Sequence, residues 1–327
     1  MQRIARRNVN RDRPTRRYRV GGAYLLLAAV VALLPQEIVA QGLTYSRGQS
    51  ITPAYEGWEL NPDGSRNLVF GYLNRNWEEA PNIPIGANNR FSPGPADRGQ
   101  PTHFMPRRNR FIFKIPVPAD WDEEMVWTLT ANGETYTAYA SLSVDYFLDN
   151  IVIMSENGSL GAGFTDAALR ANVPPTAELE GPAQRQVRVG EPLTLAVRAT
   201  DDGVPDGRRS YRSTVLTEEG DLNVDAAVRR GPVLIVPGKV NGLFVSWFHY
   251  RGPGEVTFNP TQISIWEDTR PHSNSPWSAG FYFPEPPADG RWVTRATFSE
   301  PGTYLLRGRT DDGGLYTDVE VTVDVVP

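Results

Sequence analysis

The stretch that decides the fold is Asp318-Val319-Glu320-Val321-Thr322-Val323-Asp324-Val325, close to the end of the sequence. Its valines alternate with polar residues, the period of a strand that buries one face and wets the other. The same period recurs upstream. Leu193, Leu195, Val197 and Ala199 alternate with Thr194, Ala196 and Arg198, and residues 243–250 and 303–309 supply further runs. Earlier still, Phe111, Phe113, Ile115 and Val117 share one side of a run. Segments 55–60 and 68–74 flank Asn61-Pro62-Asp63-Gly64, while 125–130 and 136–142 bracket Asn132-Gly133. Proline presets φ, aspartate caps its own turn and Asn-Gly favours the tight hairpin, so each cluster reads as a turn between antiparallel strands. Residues 80–109, rich in Pro, Gly, Asn and Arg, read as long loops. The pattern predicts an all-β chain of two antiparallel β-sandwich domains, at about 44–150 and 176–327. Residues 151–175 form a linker between them, with one or two helical turns near 164–170.

Composition narrows the chemistry. The chain has 327 residues, enough for about two domains. It contains no cysteine, which excludes disulfide scaffolds, thiolate catalysis and cysteine-ligated metals. Eight arginines crowd the first 19 residues, an apolar run follows from Val20 to Leu34, and Ile38-Val39-Ala40 ends on a small residue. That order predicts an N-terminal signal peptide over residues 1–40, because the run falls short of the roughly 20 residues a membrane span needs. Thr15-Arg16-Arg17 touches the twin-arginine pattern, but Arg19 and Val20 depart from it, so ordinary export is expected. Without this segment, which holds eight of the 33 basic and two of the 38 acidic residues, 25 and 36 remain, a net of −11. Such a balance argues against nucleic acid, whose binders need a basic footprint. No other run could span a bilayer, so no transmembrane helix is expected in the mature chain.

The second half resembles a known family. Val189-Gly190-Glu191-Pro192-Leu193 leads into Ala199-Thr200-Asp201-Asp202-Gly203. Val245-Ser246-Trp247 follows, and Pro301-Gly302-Thr303-Tyr304 leads into Thr310-Asp311-Asp312-Gly313. This order is similar to a PKD-type, immunoglobulin-like domain over residues 176–327, and the first half also looks like an immunoglobulin-like sandwich, with no motif to name its family. The resemblance implies that the tryptophan packs in the core from a central strand, that Gly-Thr-Tyr opens the penultimate strand, and that the module binds or spaces rather than catalyses. The sequence departs from the family in insertions near 204–242 and 258–292. It also carries Phe248-His249-Tyr250-Arg251-Gly252 where the family has Trp-Asp-Phe-Gly-Asp-Gly.

Catalytic motifs are sparse. There is no Gly-x-Ser-x-Gly elbow and no Ser-x-x-Lys pair, and His103, His249 and His272 are too far apart for a His-Glu-x-x-His metal helix. Gly161-x-Gly163 lacks the second half of a phosphate loop. Binding features are richer. Trp266, His272, Trp277, Tyr282 and Trp292 lie in an aromatic loop suited to stacking on sugars or anchoring a protein. Phe248 and Tyr250 form a second aromatic row that is either exposed or covered by the 204–242 insertion. The repeated Asp201-Asp202 and Asp311-Asp312 pairs suit either calcium or plain turns. The basic stretch Arg107-Arg108-Asn109-Arg110 either grips an anionic partner or rims a loop. The sequence therefore points to an exported protein, periplasmic, outer-surface or secreted, without an enzymatic role and with no cofactor beyond possible calcium. It would recognise a glycan or envelope protein. The alternatives are a polysaccharide-acting hydrolase or its accessory subunit, and a structural spacer or filament subunit.

Overall fold

Fourteen strands and two short helices are laid out by a computed structural model that describes residues 46–157, 167–205, 242–262, 265 and 286–327. In the first half, β1 (Ile51–Leu60), β2 (Arg66–Asn74) and β4 (Arg107–Val117) form one sheet. β3 (Asn89–Ser92), β5 (Met125–Ala131) and β6 (Glu134–Ala140) form the other. In the second half, β7 (Thr176–Leu179), β9 (Leu193–Thr200), β12 (Arg291–Phe298) and β11 (Val256–Asn259) face β8 (Gln184–Arg188), β14 (Tyr316–Val326), β13 (Gly302–Asp311) and β10 (Phe244–Arg251). Lettered A to G along each half, the orders are A-B-E against C-F-G, and A-B-E-D against C-F-G with an extra strand parallel to the last. That is immunoglobulin-like connectivity, given twice.

Local chemistry explains the turns. Gly64 at φ 85° closes the first hairpin, with its N–H on the Asn61 carbonyl at 3.0 Å. Asn132 and Gly133, at φ 50° and 81°, make the second as expected of a primed turn. The 80–109 segment is not wholly loop. Arg90 and Ser92 of β3 face solvent while Asn89 and Phe91 are buried, too short an alternation to stand out from its Pro- and Gly-rich surroundings. The expected linker also carries more structure than a tether. Helix α1 (Asn150–Glu156) is capped by Asp149, whose carboxylate accepts from Val152 N at 2.8 Å, and it buries Ile153 and Met154. A second helix, α2 (Ala167–Arg170), follows; the glycines at 158, 161 and 163 lie outside the described residues.

The first core is an aromatic cluster. Phe70 stacks on Phe113 at 5.3 Å, Phe91 stacks on Trp127 at 5.7 Å, and Phe113 meets Trp127 edge-on. Trp127 Nε1 donates to the buried Asn89 side chain, whose amide in turn donates to the Ile83 and Pro101 carbonyls. The core thereby orients the 97–103 loop, which matters below. In the second half the C-position strand β10 stands at the end of its sheet among the described residues and is not central, but its Trp247 is buried as the family resemblance implied. Gly308 makes room for it: a Cβ there would lie 3.0 Å from the indole. Tyr304 follows the strand-opening Gly302-Thr303 and donates to the Glu300 carbonyl at 2.9 Å, the tyrosine corner of immunoglobulin-like folds.

The Tyr304 hydroxyl also accepts from Gly254 N at 3.0 Å, so Tyr304→Phe leaves a donor and an acceptor without partners. It should cost about 1–3 kcal/mol, read as a lower urea midpoint with an unchanged slope.

Candidate functional site

The site that the fold builds is the seam between the two halves, and it begins with an irregularity in β4. Phe70 pairs with Phe113, yet Tyr72 pairs with Asn109, so residues 110–112 stand opposite Gly71 alone. Gly71 is required there because a Cβ would overlap the Glu56 carboxylate and the Asn109 carbonyl. Phe111 adopts φ 52°, a left-handed conformation uncommon for a bulky residue. The bulge turns its ring out of the first core, onto Val69, Leu148, Ile153, Met154 and Leu315, so the expected alternation of Phe111 with Phe113 breaks. It also presents the Phe111 and Ile112 carbonyls to the second half.

Two arginines take those carbonyls. Arg309 Nη2 donates to Phe111 O at 2.8 Å, and Arg307 Nη1 donates to Ile112 O. Both arginines sit on the outward row of β13, directly opposite Asp318 and Glu320 in the antiparallel register. Arg309 grips Asp318 with two nitrogens, at 2.7 and 2.8 Å, and its guanidinium lies 3.8 Å above the Tyr316 ring. Arg307 bonds Glu320 and lies 3.9 Å over Tyr250. Arg309 is only 2% exposed. Burial alone would drive both charges toward neutrality, but the pairing prevails: Asp318 is held below the ordinary carboxylate range and Arg309 above the ordinary guanidinium one. The sequence pattern read Asp318 and Glu320 as a water-facing row; the first half lies over Asp318 instead.

The other end of the seam mirrors this one. β10 has its own bulge at Tyr250, between His249 and Arg251, and the Tyr250 carbonyl accepts from Thr102 N and His103 N, both at 3.2 Å. Tyr250 Oη donates to Gly99 O, while Arg251 pairs with Asp97 at 2.7 Å and donates to Gln100 O at 2.8 Å. The rings of His103 and His249 stack at 4.1 Å and 21° across the seam. His103 Nδ1 is 2.7 Å from Asn82 Oδ1, whereas neither nitrogen of the buried His249 has a partner. Burial pushes both imidazoles down, His103 to about 3 and His249 to about 4.

These contacts relocate several expected site residues. Phe248 and Tyr250 are not an exposed platform; they are 4% and 1% exposed and belong to the first half's core cluster, while the 204–242 insertion expected over them lies almost wholly outside the described residues. The physical reason is that the sheet they stand on has its second apolar face against β4 and the 97–103 loop. Trp292 lies on β12, 8% exposed in the second core, and is not part of an open aromatic loop. Trp266, His272, Trp277 and Tyr282 lie outside the described residues. Of the basic stretch, Arg108 is paired with Glu56 and Arg110 with Glu156, while Arg107 stacks 4.1 Å over Trp77.

The paired aspartates act as turn acids. Asp201 accepts from Gly203 N and Asp202 from Val204 N, each at 2.9 Å. Asp311 accepts from Gly313 N at 2.7 Å, and one oxygen of Asp312 accepts from both Gly314 and Leu315. Of the two readings the sequence left open, calcium or plain turns, the bonds at each pair are those of a capped turn; among the described residues no group of three or more acids or histidines could hold a metal. Asp312 is fully buried, which raises its carboxyl to about 7 against its hydrogen bonds.

A cleft of about 590 Å³ runs along the seam, lined by Lys114, Tyr250, Arg251, Arg307, Asp318 and Glu320 among others. Its cations are committed to neighbours: Lys114 to Glu59, Arg251 to Asp97, and Arg307 to Glu320. Sequence reasoning missed Arg307 and Arg309, although their placement opposite two acids was a usable signal. No local signal joins His103 to His249, which are distant in the chain.

No family model matches the chain and no curated protein is similar to it. Among solved structures, domains 4 and 5 of the S-layer protein SbsC align over 63% of this chain and 66% of that one, at 8% identity and a TM-score of 0.21. The fibronectin(III)-like modules of CbhA from Clostridium thermocellum align over 84% and 94%, at 11% identity and 0.21. The adhesin InvE of Yersinia pseudotuberculosis aligns over 86% and 61%, at 9% identity and 0.22. The chain thus spans less than two thirds of the InvE structure. Likenesses this faint carry no inference about function, and the fold rests on the strand order itself.

Two outcomes are expected. Arg309→Ala should destabilise by about 3–5 kcal/mol by stranding Asp318, and Arg309→Met with Asp318→Leu should recover much of that in a denaturant titration. Between the ordinary carboxylate value near 4 and about 7, the folded state holds a proton on Asp312 that the unfolded state has lost. Stability contributed there falls as pH rises through that window. Asp312→Asn should flatten this slope in melting curves taken from pH 4 to 8.

Proposed function

We propose that the chain is an exported, non-catalytic module of a bacterial cell envelope, in which two immunoglobulin-like sandwiches act as one stiff body and recognise a glycan or protein partner through loops and aromatic residues. The observation that carries this reading is the seam. Its charged groups hold the halves together, and an active site needs groups left available to the reacting atoms. Export rests on the basic, apolar, small-residue order of residues 1–40, which lie outside the described residues. No helix among the described residues is long and apolar enough to cross a membrane.

Recognition is assigned to Trp266, His272, Trp277 and Tyr282, whose flat rings suit sugar faces or a protein anchor. A second reading, a structural spacer or filament subunit, is favoured by the same seam, because a joint fixed at both ends transmits force without bending.

The test is capture by the purified exported chain of carbohydrates on an array and of proteins from envelope fractions. Trp277→Ala with Tyr282→Ala should reduce capture several-fold with an unchanged melting temperature. No capture together with self-assembly in solution would leave the spacer reading standing, and turnover of a polysaccharide would overturn both.

A further inference from the structure

The two ends of the seam respond differently to protons. At one end the links are guanidinium to carbonyl and guanidinium to carboxylate. Arginine keeps its charge at any accessible pH, and Asp318 resists protonation because Arg309 and Arg307 face it. At the other end, the 97–103 loop meets β10 through two stacked imidazoles. His249 is 5% exposed, both its nitrogens lack partners, and its ring lies 4.1 Å from His103 and 5.5 Å from Tyr304. The backbone closes over it, since a Cβ on Gly252 would stand 2.8 Å from Nε2.

From each packed element, the groups facing this pair are His103 and Asn82 from the first half, Tyr304 from β13, and Arg251 beside His249 on β10. Arg251 is tied to Asp97, and Asp97 is itself held below its usual range by that hydrogen bond. Among the described residues no carboxylate contributes to the titration of either ring. A proton arriving on His249 meets only the Arg251 backbone, and burial outweighs what that bond returns. A second proton on His103 would set two like charges face to face, one of them buried.

We propose that the stacked His103–His249 pair is an acid-sensitive fastening, and that its protonation releases the 97–103 loop from β10 while the arginine end, where Arg307 also covers the Tyr250 ring, keeps the two halves joined. The direction follows from linkage. The unfastened state takes up protons that the fastened one excludes, so the fastening is complete near neutral pH. It weakens progressively as pH falls below the ordinary histidine range toward 4. The structure thus combines a permanent joint with a conditional one.

The experiment is amide hydrogen exchange of the full exported chain at pH 6.5 and pH 4, corrected for intrinsic rates. Thr102 and His103, whose N–H groups bond to the Tyr250 carbonyl, should lose at least tenfold in protection at pH 4, while amides of β13 keep theirs. The double variant His103→Phe with His249→Phe, which keeps a ring stack but cannot titrate, should retain protection at pH 4. If that variant does not fold, His103→Phe alone and the imidazole titrations of the wild-type chain decide the matter. Rings that titrate near 6.5 without loss of protection would overturn the proposal. So would unchanged protection at pH 4, or loss shared equally by β13.

Discussion

Everything in the seam is arranged around a guanidinium withdrawn from water. Arg309 is 2% exposed, and a charge so placed is tolerated only if it is paired and hydrogen-bonded. Asp318 answers two of its bonds and the Phe111 carbonyl a third, with the Tyr316 ring beneath. Such an arrangement adds little net stability over an apolar filling of the same volume, because desolvation offsets most of the attraction. Its consequence is geometric. An apolar patch would let one sandwich slide on the other, whereas a bidentate pair aimed at one carbonyl admits a single register. We read the buried charge as what fixes the relative orientation of the halves.

The bulges belong to the same logic. A regular strand commits its carbonyls to the ladder on either side, and so has nothing to offer a neighbouring domain. At Phe111 and Ile112 in β4, and at Tyr250 in β10, an extra residue breaks the ladder and turns acceptors outward. Each half thus contributes one irregular strand and receives donors from the other: arginines from β13 in one direction, loop N–H groups of Thr102 and His103 in the other. The interior supports both. Asn89, fixed by Trp127, holds the Pro101 carbonyl and with it the 97–103 loop, so the aromatic core of the first half bears on the second through one chain of hydrogen bonds.

What could be read from sequence was whatever depends on period and turn chemistry. The valines of β14, the Asn132-Gly133 hairpin and the Gly302-Thr303-Tyr304 opening of β13 are local statements, and local statements survive in the fold. Trp247 in the second core followed from a resemblance built on such pieces. Long-range packing was illegible. Phe248 and Tyr250 announced that a second apolar face must be covered, but nothing near them said that the other sandwich would pack against it. Asp318 looked solvated because alternation tells inside from outside of one sandwich only. The His103–His249 stack had no trace at all, since two single histidines in separate halves carry no shared period or spacing. The aromatic loop residues Trp266, His272, Trp277 and Tyr282 keep the standing they had as sequence, outside the described residues.

The strand order itself explains why the halves are joined side by side. In the second half the E-position strand β12 is flanked by β11, which covers its far edge. The first half has no such strand: its sheet runs β1-β2-β4 and stops, leaving β4 as an edge. Edge strands with free backbone groups invite pairing with any extended chain, and proteins blunt them with charge, bulges or a covering element. Here all three coincide. The β4 bulge twists the edge away from further pairing, Arg307 and Arg309 occupy the carbonyls it frees, and Lys114 reaches to the Tyr316 ring. The second sandwich therefore does for the first what a D strand would do, with side-chain donors in place of a ladder. A bonded strand would have extended the sheet and left the partner domain free to swing. Guanidinium caps close the edge and fix the partner in the same contacts, so completion of one fold and orientation of the other are a single event.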